Sequence, residues 1–261
     1  MTGRMLRLSA DELAYTLAQS GRPDIGQGIL QNASDFELSA EDVMQRMLAA
    51  GHSLLARELL QIDAEAKPVL TDNLQWLAHV LTNTPFSLRY TLATTEASFS
   101  LNYHAINGSV VEHSIEQGVI HVISEHDQPR VAVDGGVGFF KIAGLQNAFG
   151  SQGEIMKSLL DEAQQESDVT MIRKLLERAP LTSQMREQLA ADLAQTKYRG
   201  SVLRVEYGPQ GEPTADRGLL LLHGPERLWI LKPSQRPSGV SVTVIPGSEA
   251  VFRREVAALM K

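Results

Sequence analysis

The sequence predicts an α+β fold of two quasi-symmetric halves, in which helices pack on the faces of an antiparallel sheet. Apolar and polar residues alternate, as in strands, in two blocks at 86–123 and 201–245, and each block follows segments with helical apolar spacing. The order of strand, hairpin and closing helix in Ser98–Phe149 also returns in Ser201–Met260. This recurrence predicts an internal duplication.

The composition is that of a chain folded throughout. Hydrophobic residues make up 43% and charged residues 21% of the 261 residues, which is ordinary for globular proteins. We expect an N-terminal helical segment (1–51), a first α+β half (52–150) and a second α+β half (151–261). Together they are predicted to form a single compact body with a pseudo-two-fold repeat.

Charge and cysteine content exclude several classes of function. The formal net charge is -7 and no long Lys/Arg cluster occurs, which argues against nucleic acid as a partner. The absence of cysteine excludes disulfides, thiolate nucleophiles and cysteine-based zinc sites. Neither a signal-peptide core nor an apolar run of membrane-spanning length is present, so we expect a cytoplasmic protein without membrane insertion.

Two helices near the start are predicted from their capping residues. Ser9 is followed three residues later by Glu12, and Ser39 by Asp42; this is the capping-box spacing that satisfies the free N–H groups of a first turn. Gly51 is expected to end the second helix. Between residues 52 and 81 the apolar spacing is again helical, and Pro68 is expected to open another helix.

The first strand block begins after Pro85. Strands are predicted at 86–93, 99–106, 110–115 and 119–123, with hairpin turns at Asn107-Gly108 and around Gln117-Gly118. A short strand is expected at 131–133, followed by a helix that includes Phe139 and Phe149.

Three helices are predicted in the middle of the chain, from apolar stripes at 155–163, 171–176 and 185–193. The second block should form the strands Ser201–Tyr207, Gly218–His223, Leu228–Leu231 and Val240–Ile245 and the helix Ser248–Met260. Leu219–Leu222 is apolar at consecutive positions, which predicts a strand buried on both faces.

Two groups of residues invite a functional hypothesis. Gly135, Gly136 and Gly138 before a predicted helix resemble an anion cradle, but the spacing fits no phosphate-binding motif and Asp134 would repel phosphate, so we favour a strand-to-helix turn. Four histidines lie in one strand block, and two of them would nearly face each other across a hairpin. A zinc site would need further ligands, and we favour histidines on a solvent-facing side of the sheet. These histidines are His104, His113, His121 and His126, whereas His52, His79 and His223 belong to no group.

Other charged and aromatic residues have structural interpretations. The acidic pairs Asp11-Glu12, Glu41-Asp42 and Asp161-Glu162 are expected in first turns of helices, where the helix dipole favours them. A basic loop, Lys232–Arg236, and the pair Arg253-Arg254 could meet an acidic partner, although solvated positions explain both. Trp76 and Trp229 are expected in the core or at its rim. No G-x-S-x-G motif of a serine hydrolase occurs. We expect no catalytic, cofactor-binding or metal-binding residue.

Several stretches together resemble one family. These are Leu8–Leu13, the strand Arg217–Leu221, the strand Leu228–Ile230 and Val242–Pro246 running into the last helix. They are similar to the EspG family of type VII secretion chaperones. The resemblance implies two quasi-symmetric halves of sheet and helices, no cofactor, and a helical secreted partner of the PE–PPE kind. The family's long loop between the second and third strands is replaced here by the tight Asn107-Gly108 turn, so no individual binding residue is carried over.

Three hypotheses on function follow. The first is a non-enzymatic cytoplasmic chaperone or adaptor resembling EspG, which predicts an exposed apolar patch beside the sheet or on the middle helices. The second is a small-ligand-binding protein or hydrolase with a cleft between the halves. The third is a homodimeric structural or interaction protein.

Overall fold

The computed structural model describes residues 3–148, 150–208, 212–237 and 239–261, without the side chain of Asp216. Within these ranges the helices are α1 (Ala10–Gln19), α2 (Pro23–Asn32), α3 (Ala40–Ala56), α4 (Asp72–Asn83), α5 (Arg130–Phe139), α6 (Lys157–Gln165), α7 (Val169–Leu176), α8 (Ser183–Ala194) and α9 (Glu249–Leu259). The strands are β1 (Met5–Ser9), β2 (Leu60–Ile62), β3 (Pro68–Leu70), β4 (Phe86–Ala93), β5 (Ser98–Ile106), β6 (Ser109–Glu116), β7 (Ile120–His126), β8 (Gly153–Met156), β9 (Tyr198–Tyr207), β10 (Pro213–His223), β11 (Leu228–Arg236) and β12 (Gly239–Pro246). No helix in the described ranges has both the length and the apolar character needed to span a bilayer.

The predicted fold class is confirmed: helices accompany a large antiparallel sheet. Two compact units make up the chain. The first comprises Met1–Ser87, Asn102–Pro129 and Tyr207–Glu212, and the second comprises Leu88–Leu101, Arg130–Glu206 and Pro213–Lys261. The predicted duplication and the division at residues 51 and 150 remain predictions.

In the first unit, β7 lies between β1 and β6 and pairs antiparallel with both. Leu8 lies opposite His121, and His113 lies opposite Ile123. Because side chains alternate between the faces of a strand, these four residues share one face with the core residues Leu6 and Val111. Helices α1 and α4 close the core over this face, in a cluster that includes Leu6, Leu8, Leu13, Leu17, Leu74, Leu77, Val111 and Ile123.

In the second unit, the strand order is β4-β9-β10-β11-β12-β8. The pairs Leu222 with Trp229, and Val242 with Ile155, fix the register of the antiparallel neighbours. One face is covered by α6, α7 and α8 in a cluster that includes Leu160, Ile172, Leu189, Leu222, Trp229, Leu231 and Val244. All residues of Leu228–Leu231 are buried, so this first part of β11 is covered on both faces.

The hairpin turns agree with the sequence. Asn107 and Gly108 have φ values of 47° and 83°, and Gln117 and Gly118 have 51° and 75°. Both central residues of each turn therefore adopt the left-handed conformation that twisted two-residue hairpins require. The turns confirm the predicted order of β5, β6 and β7.

Several predicted elements are wrong: residues 60–62 and 155–156, predicted as helical, belong to β2 and β8, and three boundaries differ. Gly51 lies inside α3, because a Cβ there would be 3.1 Å from the ring of Tyr15 and glycine lets α1 and α3 approach closely. Pro68 opens β3, opposite Ile62, since a strand end tolerates the missing N–H. Residues 131–133 begin α5 instead of forming a strand: a three-residue apolar alternation is too short to separate strand from helix. That helix ends at Phe139, and Phe149 lies outside the described residues.

One glycine of α5 allows the helix to approach its neighbours closely. A Cβ at Gly136 would lie 2.7 Å from a ring carbon of Tyr90 and 3.1 Å from a ring carbon of Phe252. Both rings are fully buried in a close-packed core, so displacing them would cost packing energy. A Cβ at Gly138, in contrast, would point into open space.

We expect opposite effects from the same substitution at these two glycines. Gly136→Ala should lower the free energy of unfolding by about 2 kcal/mol through overpacking. Gly138→Ala should raise it by up to about 0.5–1 kcal/mol, because alanine favours helix over glycine. Urea denaturation of both variants measures the difference. Equal effects at the two positions would contradict the close packing of α5.

Candidate protein-binding surface

Helices α1 and α3 begin as the sequence predicts. In α1 the Ser9 hydroxyl accepts from the Glu12 N–H while the Glu12 carboxylate accepts from the Ser9 N–H, at 3.1 and 2.9 Å. In α3, Ser39 and Asp42 make the same pair of bonds, at 3.1 Å each. Hydrogen bonds from the Ser39 side chain and backbone lower the pKa of Asp42. The starts of both helices are thereby fixed.

Polar side-chain contacts hold α1 against α3. Burial acts to raise the pKa of Glu12, but hydrogen bonds from Arg57, Ser9 and Ser53 outweigh it, and the pKa is lowered. The Glu12 carboxylate lies 2.6 Å from Arg57 Nη1 and is almost fully buried. Arg46 of α3 lies 2.6 Å from Asp11 of α1. Glu12 and Asp11 thus each connect the start of α1 to α3.

Helix α2 approaches α1 through a glycine. A Cβ at Gly26 would lie 2.7 Å from the carbonyl oxygen of Ala14, so only glycine permits this contact. The three helices leave an open groove of about 340 Å³ between them. The groove is lined by Ala14, Ala18, Pro23, Gly26, Gln27, Leu30, Leu38, Ala40, Val43 and Met47.

Exposed apolar side chains continue this groove. Val43 and Met47 line it, and the adjoining row of α3 carries Met44 and Leu48, which are 54% and 53% exposed. Phe36, in the connection between α2 and α3, is 66% exposed. We call the groove together with Phe36, Met44 and Leu48 the α3 surface. Its apolar side chains are those expected of a protein-binding patch.

Acidic residues border the α3 surface. Asp35, Glu37 and Glu41 are exposed, and they form no ion pair with any residue in the described ranges. The neighbouring cations are already occupied, since Arg22 pairs with Asp24 and Arg46 with Asp11. The border therefore carries uncompensated negative charge.

The structure brings three of the predicted histidines together. His113 Nε2 lies 2.8 Å from His121 Nδ1, and the rings of His104 and His113 stack with centroids 5.9 Å apart. The predicted solvent-facing position is wrong. His104 and His121 are buried, because this face of β6 and β7 also carries core residues such as Val111 and Ile123.

Burial favours the uncharged forms of His113 and His121. It lowers the pKa of His121 to about 4. It also lowers the pKa of His113 far below its ordinary value, and His104 and His121 act in the same direction. Of the other histidines, His126 Nε2 lies 3.6 Å from Glu112 Oε2, and His223 Nδ1 lies 2.7 Å from the carbonyl oxygen of Gly224. Among the described residues, no group of three or more His, Cys, Asp or Glu side chains is placed to hold a metal ion.

The glycine-rich stretch is not an anion cradle. Gly135, Gly136 and Gly138 lie within α5, which begins earlier, at Arg130. The predicted strand-to-helix turn is therefore wrong as well. Asp134, in the same helix, makes an ion pair with Arg253 of α9, which lowers the pKa of that carboxyl and ties the two helices together.

The other charged residues that the sequence analysis named lie in helices and strands, and several of them form ion pairs. Lys232–Arg236, predicted as a loop, belongs to β11, where Lys232 pairs with Glu255 and Arg236 with Glu154, both at 2.8 Å. The acidic pairs at 11–12 and 41–42 lie in first turns as predicted. Asp161 and Glu162 do not, because α6 begins at Lys157. Arg254 pairs with Glu255 at 2.8 Å.

Both tryptophans lie where the sequence predicts. Trp229 is fully buried, and its indole N–H donates to Asp192 at 2.8 Å. Trp76 packs at the edge of the first unit's core, with the Arg4 guanidinium 5.0 Å from its ring centroid. Neither ring is an exposed anchor for a partner.

Comparison with known proteins identifies the family. The model of the family described as "Uncharacterised protein YfjC" matches residues 5–244. The chain belongs to this family. No curated protein sequence matches the chain. A solved structure is similar over 98% of this chain and 96% of the matched chain, with a TM-score of 0.66 and 12% sequence identity: that of the Mycobacterium tuberculosis type VII secretion system chaperone EspG5 in complex with the PE25-PPE41 dimer.

For this member of the YfjC family, the likeness to the EspG5 structure confirms the predicted resemblance at the level of the fold. The α3 surface was not predicted, since the apolar patch was expected beside the sheet or on the middle helices. A signal was nevertheless present. The Ser39 cap fixes the start of α3. From there Val43 and Met47 form one row of apolar side chains, and Met44 and Leu48 form an adjoining row, which makes the apolar face of α3 wider than a stripe that only contacts the core.

Proposed function

We propose that this protein is a non-enzymatic cytoplasmic chaperone or adaptor that binds a helical protein partner on the α3 surface. The observation that carries the proposal is the exposed row of Met44 and Leu48 beside an open apolar groove. A helix laid into that groove would cover Met44 and Leu48 with its own apolar face, which is how amphipathic helices bind hydrophobic grooves. Methionine suits such a surface because its flexible side chain adapts to different partners.

The acidic border specifies the partner further. Asp35, Glu37 and Glu41 would face the polar side of a docked helix, where lysine or arginine would be favoured and glutamate or aspartate would be repelled. The proposed partner is therefore an amphipathic helix with an apolar face and basic flanks. Rim charges of this kind increase the association rate more than the final affinity, and salt weakens their effect.

The fold supports the same class of partner. In the similar structure, EspG5 is in complex with the PE25-PPE41 dimer. By this likeness, a secreted helical protein of the PE–PPE kind is the partner that we propose. The chaperone would cover the partner's apolar face until export.

The proposal is tested by capture with matched variants. The wild-type protein, a double variant Met44→Glu/Leu48→Glu and a control Met171→Glu are used as baits in lysate of the native host. Met171 is 48% exposed and lies in the second unit, so its substitution makes the same chemical change away from the α3 surface. We expect a helical protein with a basic amphipathic segment to be recovered with the wild type and the control. Its recovery with the double variant should fall at least about tenfold, which corresponds to about 1.4 kcal/mol.

Binding measurements with the purified protein and the recovered partner then distinguish the contribution of charge from that of the apolar contact. Glu37→Gln/Glu41→Gln should weaken binding of the recovered partner at low salt and change it little at high salt. Equal recovery of every partner with the wild type and with Met44→Glu/Leu48→Glu would contradict the assignment of the α3 surface. Recovery of an acidic or all-β partner through this surface would contradict the proposed partner class.

The other two hypotheses remain predictions. These are the ligand-binding protein or hydrolase with a cleft between the halves, and the homodimeric structural protein.

A further inference from the structure

A second cavity lies within the other unit, apart from the α3 surface. It has a volume of about 180 Å³ and opens between α6 and the strands β9 to β12. Its walls are apolar: they include Leu160, Leu220, Leu222, Leu231, Pro233 and Val242. All of these residues belong to the second compact unit.

The cavity occupies a place where the sequence predicts full burial. Leu219–Leu222 has the pattern of a strand covered on both faces, and Leu219, Leu221 and Leu222 are indeed buried. Leu220 is 38% exposed, although it shares a face with Leu222 and lies opposite Leu231. The sheet therefore leaves one core position open beside α6. Leucine walls offer water few hydrogen-bond partners, so an apolar occupant is favoured there.

Charged side chains at the mouth of the cavity indicate which polar group a ligand would carry. Lys157 and Asp161 line the mouth and pair with each other at 2.5 Å, so their charges compensate. Arg199 also lines the cavity, is exposed, and makes no ion pair with any residue in the described ranges. The mouth therefore has one uncompensated guanidinium, and carboxylates are groups that a guanidinium can bind through two parallel hydrogen bonds.

We propose that this cavity binds an amphiphilic carboxylate, with its apolar body against Leu220 and Leu231 and its carboxylate at Arg199. The volume limits the size of the ligand. Drug-sized ligands occupy cavities of about 300–1,000 Å³, whereas a dry apolar cavity of about 150 Å³ accepts a molecule the size of benzene. An apolar body of roughly six to eight carbon atoms fits this range. Such a group occurs in a free medium-chain acid and at the carboxyl terminus of a peptide that ends in a large apolar residue.

Titration calorimetry with three ligands of equal length tests the proposal. Octanoate should bind at least tenfold more tightly than 1-octanol, and octylamine should bind more weakly than both. Arg199→Gln should remove the preference for octanoate over 1-octanol, while Arg178→Gln, a control at an exposed arginine of the same unit, should keep it. Leu220→Trp should fill the cavity and abolish the binding of octanoate and 1-octanol.

Several controls keep the result unambiguous. Leu220 is partly exposed, so its replacement should leave the thermal unfolding midpoint close to that of the wild type; Leu220→Phe is a second filling variant if tryptophan perturbs folding. A peptide that ends in leucine, tested with a free C-terminal carboxylate and as the C-terminal amide, distinguishes the source of the ligand. If only the peptide with the free carboxylate binds, more tightly than octanoate and dependent on Arg199, the site is assigned to the carboxyl terminus of a protein. Equal affinity for octanoate and 1-octanol, or octanoate binding that survives both filling variants, would overturn the proposal. Because the α3 surface is not involved, neither outcome depends on the proposed partner.

Discussion

Replacement of Asp192 by alanine is expected to lower the free energy of unfolding by about 3 kcal/mol, the largest effect of any single substitution considered for this protein. The Asp192 carboxylate is buried and accepts from Arg227 Nε at 2.8 Å, from Arg227 Nη2 at 3.1 Å and from the Trp229 indole N–H at 2.8 Å. Removing it would leave the guanidinium and the indole N–H without their acceptor in the core of the second unit.

Urea denaturation followed by tryptophan fluorescence measures this loss, because Trp229 itself reports on the site. Asp161→Ala is the matched control: Asp161 is partly exposed, makes only an i,i+4 pair with Lys157, and should cost less than about 0.5 kcal/mol. A loss at Asp192 no larger than at Asp161 would show that the three hydrogen bonds do not stabilise the fold.

Acidification is expected to destabilise the first unit through its histidine cluster. The pKa of His121 is lowered to about 4 in the folded chain, whereas an unfolded histidine titrates near 6.5. As the pH falls below about 6.5, the unfolded state therefore binds a proton that the folded state does not, and stability declines until the pH nears 4. For His121 alone the loss between pH 8 and pH 5 is about 2 kcal/mol, and the lowered pKa of His113 adds to it.

The variant His113→Gln/His121→Gln should flatten this dependence, because glutamine does not titrate. Its free energy of unfolding at pH 8 should be lower than that of the wild type, but it should change much less between pH 8 and pH 5. His52→Gln, at an exposed position of α3, should retain the full pH dependence of the wild type. A double variant as acid-sensitive as the wild type would assign the effect to other groups.

Much of the fold follows from local chemistry. The capping boxes at Ser9 and Ser39 and the turn at Asn107-Gly108 form as predicted, because each depends only on residues within a few positions of one another. The strands 86–93 and 240–245 likewise lie close to their predicted bounds. Short-range hydrogen bonding and side-chain period are sufficient at these places.

Where the prediction is wrong, contacts with other helices and strands decide the structure. Gly51 continues α3 because Tyr15 packs against it, and Pro68 opens β3 because β2 pairs with it. The side of β6 and β7 that carries His113 and His121 was predicted to face solvent, but it faces the core, because Val111 and Ile123 lie on the same side. Tyr15 and Gly51 lie in different helices, Pro68 is paired by a second strand, and the face of His113 and His121 is buried by helices α1 and α4, so the spacing within a single element does not contain these contacts.

The sequence by itself thus determined the α+β class, the helix starts at Ser9 and Ser39, and the hairpin turns at Asn107-Gly108 and Gln117-Gly118, together with a layout that resembles the EspG fold. Only the tertiary structure decided which apolar residues stay exposed. Met44, Leu48 and Leu220 have the same character as the core leucines around them, and they differ only in that no other element of the described chain covers them. Exposure depends on how whole elements pack, and for this reason the two candidate binding sites emerge from the packing and not from the sequence.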